Sequence, residues 1–271
     1  MLISNLLLLL FAGMDTTSTI LAACMHCLAT NPRVQDTLHK EISEALLDEG
    51  LNYNAVQVCF CLNLPTSFKQ WPASIQGLPY LDMVVYETLR FWPLGDLERK
   101  CVKDYRNRIS SASRFELDMH FYLDMYQRHL ETACSTTFAK DCCSNLDAEQ
   151  QRIPGTDVVI PEGMVVQLPS TSIMRDEEHF PNPDDFDPEN FSRVRKEGRS
   201  PYAFLTFGLG PRNCIGSRLA LLQLKIAVAH LVRHFEIVTC AKTPAKPEVD
   251  TRSVNADAKG GFWVRFEKRA S

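Results

Sequence analysis

Phe207-Gly208-Leu209-Gly210-Pro211-Arg212-Asn213-Cys214-Ile215-Gly216 places one cysteine in a glycine-punctuated loop just ahead of a helical stretch. Gly208, Gly210 and Gly216 allow tight turns and close approach to a flat partner, because no Cβ intrudes. A cysteine near the amino end of a helix lies beside exposed N–H groups and the positive end of the helix dipole, which favour the thiolate. Arg212 adds a cation able to hold an anionic group. On these residues alone, the stretch is either a ligating thiolate loop or an ordinary glycine turn around a buried cysteine.

Around this loop the composition is globular. Of 271 residues, 45% are apolar and 23% charged, which excludes disorder and fibrous structure as the main state. The length suits one large domain or two modest ones. A net charge of −4 and a pI near 6.0 argue against nucleic-acid binding, which calls for a basic stripe. The 10 cysteines are scattered and follow no secretory leader, so they read as reduced. Leu6 to Leu10 is pure leucine, and the apolar run extends to Ala12. That run is shorter than the roughly 20 residues of a spanning helix, and no basic residue precedes it as in a signal peptide. Leu6 to Ala23 reads instead as one long buried helix with a polar notch. The chain is thus expected to begin inside a helix, within a domain.

Val34 to Leu47 has helical spacing through Val34, Leu38, Ile42, Ala45 and Leu46, with Gly50 as its stop. Tyr80 to Phe91 repeats the pattern until Pro93, and Leu219 to Phe235 forms a last strong helix. Val158 to Leu168, β-branched around Pro161-Glu162-Gly163, predicts a short hairpin. Pro181 to Phe191 should be irregular, and Gly260 to Phe266 a closing strand. The fold class is mainly α with minor β. Val58 to Gln76 and Arg106 to Arg152 carry no usable period, and loops of that length are uncommon inside compact domains.

Glu87 and Arg90 lie three apart on one helical face and can pair. By themselves they fit a surface ion pair worth about 0–1 kcal/mol equally well. Asp15 and Thr16, beside Gly13 in an apolar helix, could satisfy each other, cap a local break, or deliver protons to something bound alongside.

Together these stretches resemble the cytochrome P-450 family. Phe207 to Gly216 satisfies its cysteine-loop pattern F-x-x-G-x-R-x-C-x-G, Glu87-Thr88-Leu89-Arg90 its E-x-x-R, and Ala12-Gly13-Met14-Asp15-Thr16 its A-G-x-D/E-T, in the family's order. Tyr80-Leu81-Asp82-Met83-Val84-Val85 and Ile153-Pro154-Gly155-Thr156-Asp157-Val158 look like the animal, particularly arthropod, microsomal branch that oxidises toxins and drugs. The resemblance implies a single partial domain over 1–271, equivalent to the carboxyl half of such an enzyme. Cys214 would be the axial thiolate on the iron of haem b, pushing electron density that favours O–O cleavage. Arg212 and Arg99 would hold haem propionates, and Phe207 would screen the thiolate, with Gly208 and Gly216 shaping the loop. Asp15 and Thr16 would relay protons on the distal face, while Pro93 to Leu97 would line part of the substrate pocket. The implied reaction is monooxygenation of an apolar small molecule. Its electrons come from NADPH through a cytochrome reductase, with cytochrome b5 as a further donor, at the cytosolic face of the endoplasmic reticulum membrane. The alternatives are a non-catalytic truncated remnant or gene fragment of such an enzyme, and non-catalytic haem binding.

The chain departs from the family at Pro188-Glu189-Asn190-Phe191, where P-E-R-F is usual, so Asn190 stands where an arginine would complete a triad with Glu87 and Arg90. Met174 stands where a histidine is common. Removing 58–76 joins Gln57 to Gly77, and removing most of 106–152 joins Tyr105 to Ile153, as the family reads; both are expected to be translated introns, with loop insertions as the alternative. Cys24-Met25-His26-Cys27 lacks the following histidine of c-type haem attachment and a second pair for zinc, so core packing is expected. The cysteines of the two odd segments have no histidine at ligand spacing. Asn190-Phe191-Ser192 matches a glycosylation acceptor.

Overall fold

The computed structural model describes residues 2–45, 77–100, 151–152, 159–160, 163–210, 213–250, 253 and 256–269. The expected insertions at 58–76 and 106–152 lie outside these residues, except for Gln151 and Arg152, and so does Gly50. The chain forms two compact units, one built from 1–97 and 169–271, the other from 98–168.

In the larger unit, α1 (Leu2–Thr30) is one helix across the polar notch. It is not buried along its length, as the sequence suggested. Phe11 and Met14 are exposed, and from Phe11 onward the first buried residue is Thr19. At its end the Asn31 amide donates to the Cys27 carbonyl at 2.8 Å. Pro32, which cannot continue a helix but starts one well, opens α2 (Pro32–Ala45). The next helix, α3 (Pro79–Phe91), has Leu78 at its N-cap with no side-chain cap of its own. Its orphan first-turn N–H groups are met from outside: Tyr80 and Leu81 donate to the two oxygens of Glu41 on α2, at 2.8 and 2.9 Å. No described helix is long and apolar enough to cross a membrane.

After α3 the chain passes a short helix, α4 (Ser170–Ile173), and a run of turns ending in a 3-10 turn at Pro188–Phe191. A brief helix, α5 (Arg193–Glu197), follows. The irregularity expected over 181–191 is therefore present. The last helix, α6 (Ser217–His234), runs directly into β5 (Phe235–Val238) without an intervening loop. This strand pairs antiparallel with β6 (Arg265–Lys268), Phe235 opposite Lys268 and Ile237 opposite Phe266. The closing strand thus starts at Arg265 rather than Gly260; Gly260 and Gly261 form a turn at φ 81°.

The main core joins α1, α2, α3 and α6 through Leu28, Leu38, Ile42, Leu81, Leu89 and Val228. Gln35 is the buried polar joint between α2 and β5. Its side-chain amide donates to the Ile237 carbonyl at 2.8 Å and its Oε1 accepts the Ile237 N–H at 2.7 Å. Cys24, Met25, His26 and Cys27 are all buried, as packing requires.

The smaller unit holds the remaining strands: β1 (Leu97–Lys100), which starts one residue before it, β2 (Gln151–Arg152), β3 (Val159–Ile160) and β4 (Val165–Leu168). Here the expected hairpin is corrected. β3 pairs with β2, just before it in the chain, and β4 with the distant β1, so the two strands flanking Pro161-Glu162-Gly163 pair elsewhere rather than with each other. Periodicity located the strands but carried no information about which edges meet.

Candidate functional site

Glu87 and Arg90, on α3, are both fully buried, which removes the surface-pair reading. Arg90 Nε donates to Glu87 Oε2 at 2.7 Å and Nη2 to Oε1 at 2.8 Å, a bidentate contact. The other donors reach backbone carbonyls of Met174 at 3.1 Å, Pro183 at 2.9 Å and Asp185 at 3.1 Å. All five guanidinium N–H groups are therefore used, as a buried arginine requires. Burial pushes the Glu87 carboxyl above its ordinary range, opposed by Arg90, by the Asp187 N–H and by the Asn190 amide. Phe180, fully buried, lies 5.2 Å under the Arg90 guanidinium. The pair thus staples the run of turns over 174–190 to α3. That run leads through Ala203 and Leu205, both buried, to the cysteine loop.

The loop is latched at both ends. Thr206 Oγ1 donates to the Leu89 carbonyl of α3 at 3.4 Å. The Cys214 N–H donates back to the Phe207 carbonyl at 2.7 Å. Between them Gly208 at φ 67° and Gly210 at φ 80° adopt left-handed backbone that other residues rarely take. Phe207 is half-buried against the main core. Cys214 is exposed rather than packed inside a glycine turn. It sits just before Gly216, the N-cap of α6. Leu209, Ile215 and Leu219 beside it are exposed although apolar.

On α1, Asp15 is exposed and Thr16 half-buried. Thr16 Oγ1 donates to the Ala12 carbonyl at 2.6 Å, the back-bonding that bends helices. A Cβ on Gly13 would meet nothing within 4 Å, so the helix has open space there. Thr17 Oγ1 is buried and has no hydrogen-bond partner among the described residues.

Of the other residues singled out by sequence, Arg212 lies outside the described residues and Arg99 is described only as backbone in β1. Asn190 is fully buried and donates to Glu87 Oε1 at 3.3 Å. The carbonyl partners of Arg90 and the arginines around Asn190 went unread in the sequence. The carbonyls carry no side-chain signal at all. Gln35 did leave one, sharing a stripe with Leu38 and Ile42.

Comparison with known proteins follows the same stretches. The family model "Cytochrome P450" matches residues 2–108 and 117–262. Cytochrome P450 9e2 of Blattella germanica is 33% identical over 267 residues, covering 97% of this chain and 38% of the relative. Cytochrome P450 3A41 of Mus musculus is 31% identical over 235 residues, 86% of this chain and 34% of the relative. Probable cytochrome P450 9f2 of Drosophila melanogaster is 30% identical over 263 residues, 96% of this chain and 39% of the relative. The chain therefore spans 34–39% of the length of these relatives, and the expected likeness to animal and arthropod members holds. By the cysteine loop, the buried Glu87–Arg90 staple and the extent of the family match, this chain belongs to the cytochrome P450 family.

Proposed function

We propose that a protein containing this chain is a haem-dependent monooxygenase acting on apolar small molecules, with Cys214 as the thiolate ligand of haem b. The observation that carries this reading is the exposed Cys214 thiol on a loop whose backbone is locked by Gly208, Gly210 and the Cys214-to-Phe207 hydrogen bond. The residues present fit such a group. A sulfur donor is presented at the surface, and Leu209, Ile215, Phe11 and Met14 offer exposed apolar area suited to a flat macrocycle. When bound, the haem supplies dioxygen activation, tuned by its thiolate ligand.

The protein's own residues hold and orient it. Phe207 keeps one side of the thiolate dry by packing on the core. Arg212 and Arg99 carry the charge that propionates need. Asp15 and Thr16, next to the open space at Gly13, hold and pass protons, while Thr16 keeps its hydroxyl proton on Ala12 until a better acceptor arrives. The E-x-x-R pair has no contact with the reacting atoms; it positions the loop. NADPH electrons delivered by a cytochrome reductase, cytochrome b5 as a further donor, xenobiotic substrates and residence at the endoplasmic reticulum membrane belong to this proposal.

The test is the reduced carbon monoxide difference spectrum of the chain expressed with haem supplied, beside Cys214→Ser. A strongly red-shifted band that vanishes in the variant is the expected result. Absence of haem, or a band typical of neutral ligands in the unaltered chain, overturns the ligand assignment.

A further inference from the structure

The Glu87–Arg90 pair is surrounded by more positive charge than it needs to be neutral. Asn190, fully buried, donates its Nδ2–H to Glu87 Oε1 at 3.3 Å. Its Oδ1 accepts Arg195 Nη1 at 3.1 Å, and the same Nη1 lies 2.7 Å from Asp187 Oδ2. The Asn190 backbone carbonyl accepts Arg199 Nη2. The Arg199 guanidinium lies 4.1 Å over the Phe180 ring, the same ring that Arg90 covers at 5.2 Å. Asp187 completes the group with an N–H to Glu87 Oε1 at 2.9 Å. Two carboxylates, Glu87 and Asp187, thus share three guanidiniums, Arg90, Arg195 and Arg199.

We propose that Arg199 and Arg195 are positioning residues for the Glu87–Arg90 staple. Acting through the two oxygens of Asn190, they supply the second positive charge that a direct arginine contact at position 190 would bring. Asn190 is the joint: both of its oxygens are held by cations, which fixes its amide on Glu87. Arg195 answers Asp187, so Arg199 is the cation left to face Glu87; burial disfavours the Arg199 charge and the Glu87 carboxylate favours it. This inference stands on the network itself and is independent of the haem reading.

The groups facing Glu87 are Arg90 on its own helix, the Cys27 thiol from α1, Asp187 and Asn190 from the 3-10 turn, and Arg195 and Arg199 beyond it. Burial already raises the Glu87 carboxyl above its ordinary 4.5. A carboxyl raised in the folded state contributes stability that is present below its ordinary value and lost as pH rises through the folded value. Removing a nearby cation raises it further, so the resulting deficit must grow from acid to neutral pH.

The experiment compares Arg199→Met, Arg199→Lys and Arg195→Met in the full chain by chemical unfolding at pH 5 and pH 7.5. Arg199→Met retains the stem over Phe180 but not the charge. It is expected to lower the folded-to-unfolded ratio about three- to tenfold at pH 7.5, with a smaller loss at pH 5. Arg199→Lys recovers most of the loss, and adding Asn190→Ala to Arg199→Met costs less than the two separately. A deficit equal at both pH values, or equal for methionine and lysine, means that Arg199 is only packing and overturns the proposal. Should Arg199→Met not fold, the pH dependence of Arg195→Met decides: a deficit growing with pH supports the network, and a flat one overturns it.

Discussion

Arg90→Leu removes five hydrogen bonds from one buried point and leaves the Glu87 carboxylate without its direct counter-ion. Stranding one member of a buried pair costs about 3–5 kcal/mol. The carbonyls of Met174, Pro183 and Asp185 lose their donor as well, at about 1 kcal/mol each where water cannot replace it. Burying a leucine in the vacated space returns about 2 kcal/mol. A net loss of about 4–6 kcal/mol is then a large share of the roughly 5–15 kcal/mol that holds a domain folded. The control is Arg193→Ala. Arg193 pairs with Glu197 at 3.1 Å, but the two side chains are 92% and 68% exposed. That pair is expected to be worth less than about 0.5 kcal/mol. Urea unfolding followed by far-ultraviolet circular dichroism measures both. If Arg90→Leu is too unstable to assay, Arg90→Lys replaces it; keeping the charge but losing the planar fork should cost about 2 kcal/mol. The reasoning fails if the Arg90 variants cost no more than Arg193→Ala, because burial would then not be what gives the pair its weight.

Gln35→Leu leaves the Ile237 N–H and carbonyl without their partners and should cost about 2–3 kcal/mol in the same unfolding assay, despite the gain in apolar volume. Gly210→Val forces a branched side chain into backbone at φ 80°; since a Cβ there meets nothing within 4 Å, the cost of about 1–2 kcal/mol should come from conformation alone, read as a lowered melting temperature. Burial holds the buried His26 below its ordinary 6.5, so it contributes stability present above that value and lost as pH falls through it. A melting-temperature series from pH 8 to 5 should therefore fall more steeply for the unaltered chain than for His26→Leu, with His39 and His230, lowered for the same cause, supplying the remaining slope.

The helices were legible because their apolar residues repeat locally: Leu81, Val84, Val85 and Leu89 alone mark the buried face of α3. The tight turns of the cysteine loop were legible because the glycines that adopt left-handed backbone, Gly208 and Gly210, stand in the sequence itself. What escaped is what depends on distant partners. Glu87 and Arg90 share a face in any helix, but their burial is decided by carbonyls 84 to 95 positions away. The strand after Gly163 was placed, yet its partner is β1, far back in the sequence. The apolar run from Leu6 to Ala12 suggested burial for α1, whereas Phe11 and Met14 are exposed. Asn190 read only as the place of an absent arginine because the cations on its two oxygens, Arg195 and Arg199, sit five and nine residues on, where spacing says nothing of contact.

The direct passage from α6 into β5 makes that joint intolerant of changes in length. One residue inserted after His234 would turn everything beyond it by one strand position, moving Ile237 to the outer face and parting it from Gln35. Deleting one would instead rotate the strand's entry by about 100° about the helix axis. The exposed turn at Gly163, by contrast, has open space around it and can absorb an extra residue. Across relatives of differing length, insertions and deletions should therefore collect at turns of that kind and spare the boundary between His234 and Phe235, where helix register and strand alternation are counted from the same residue.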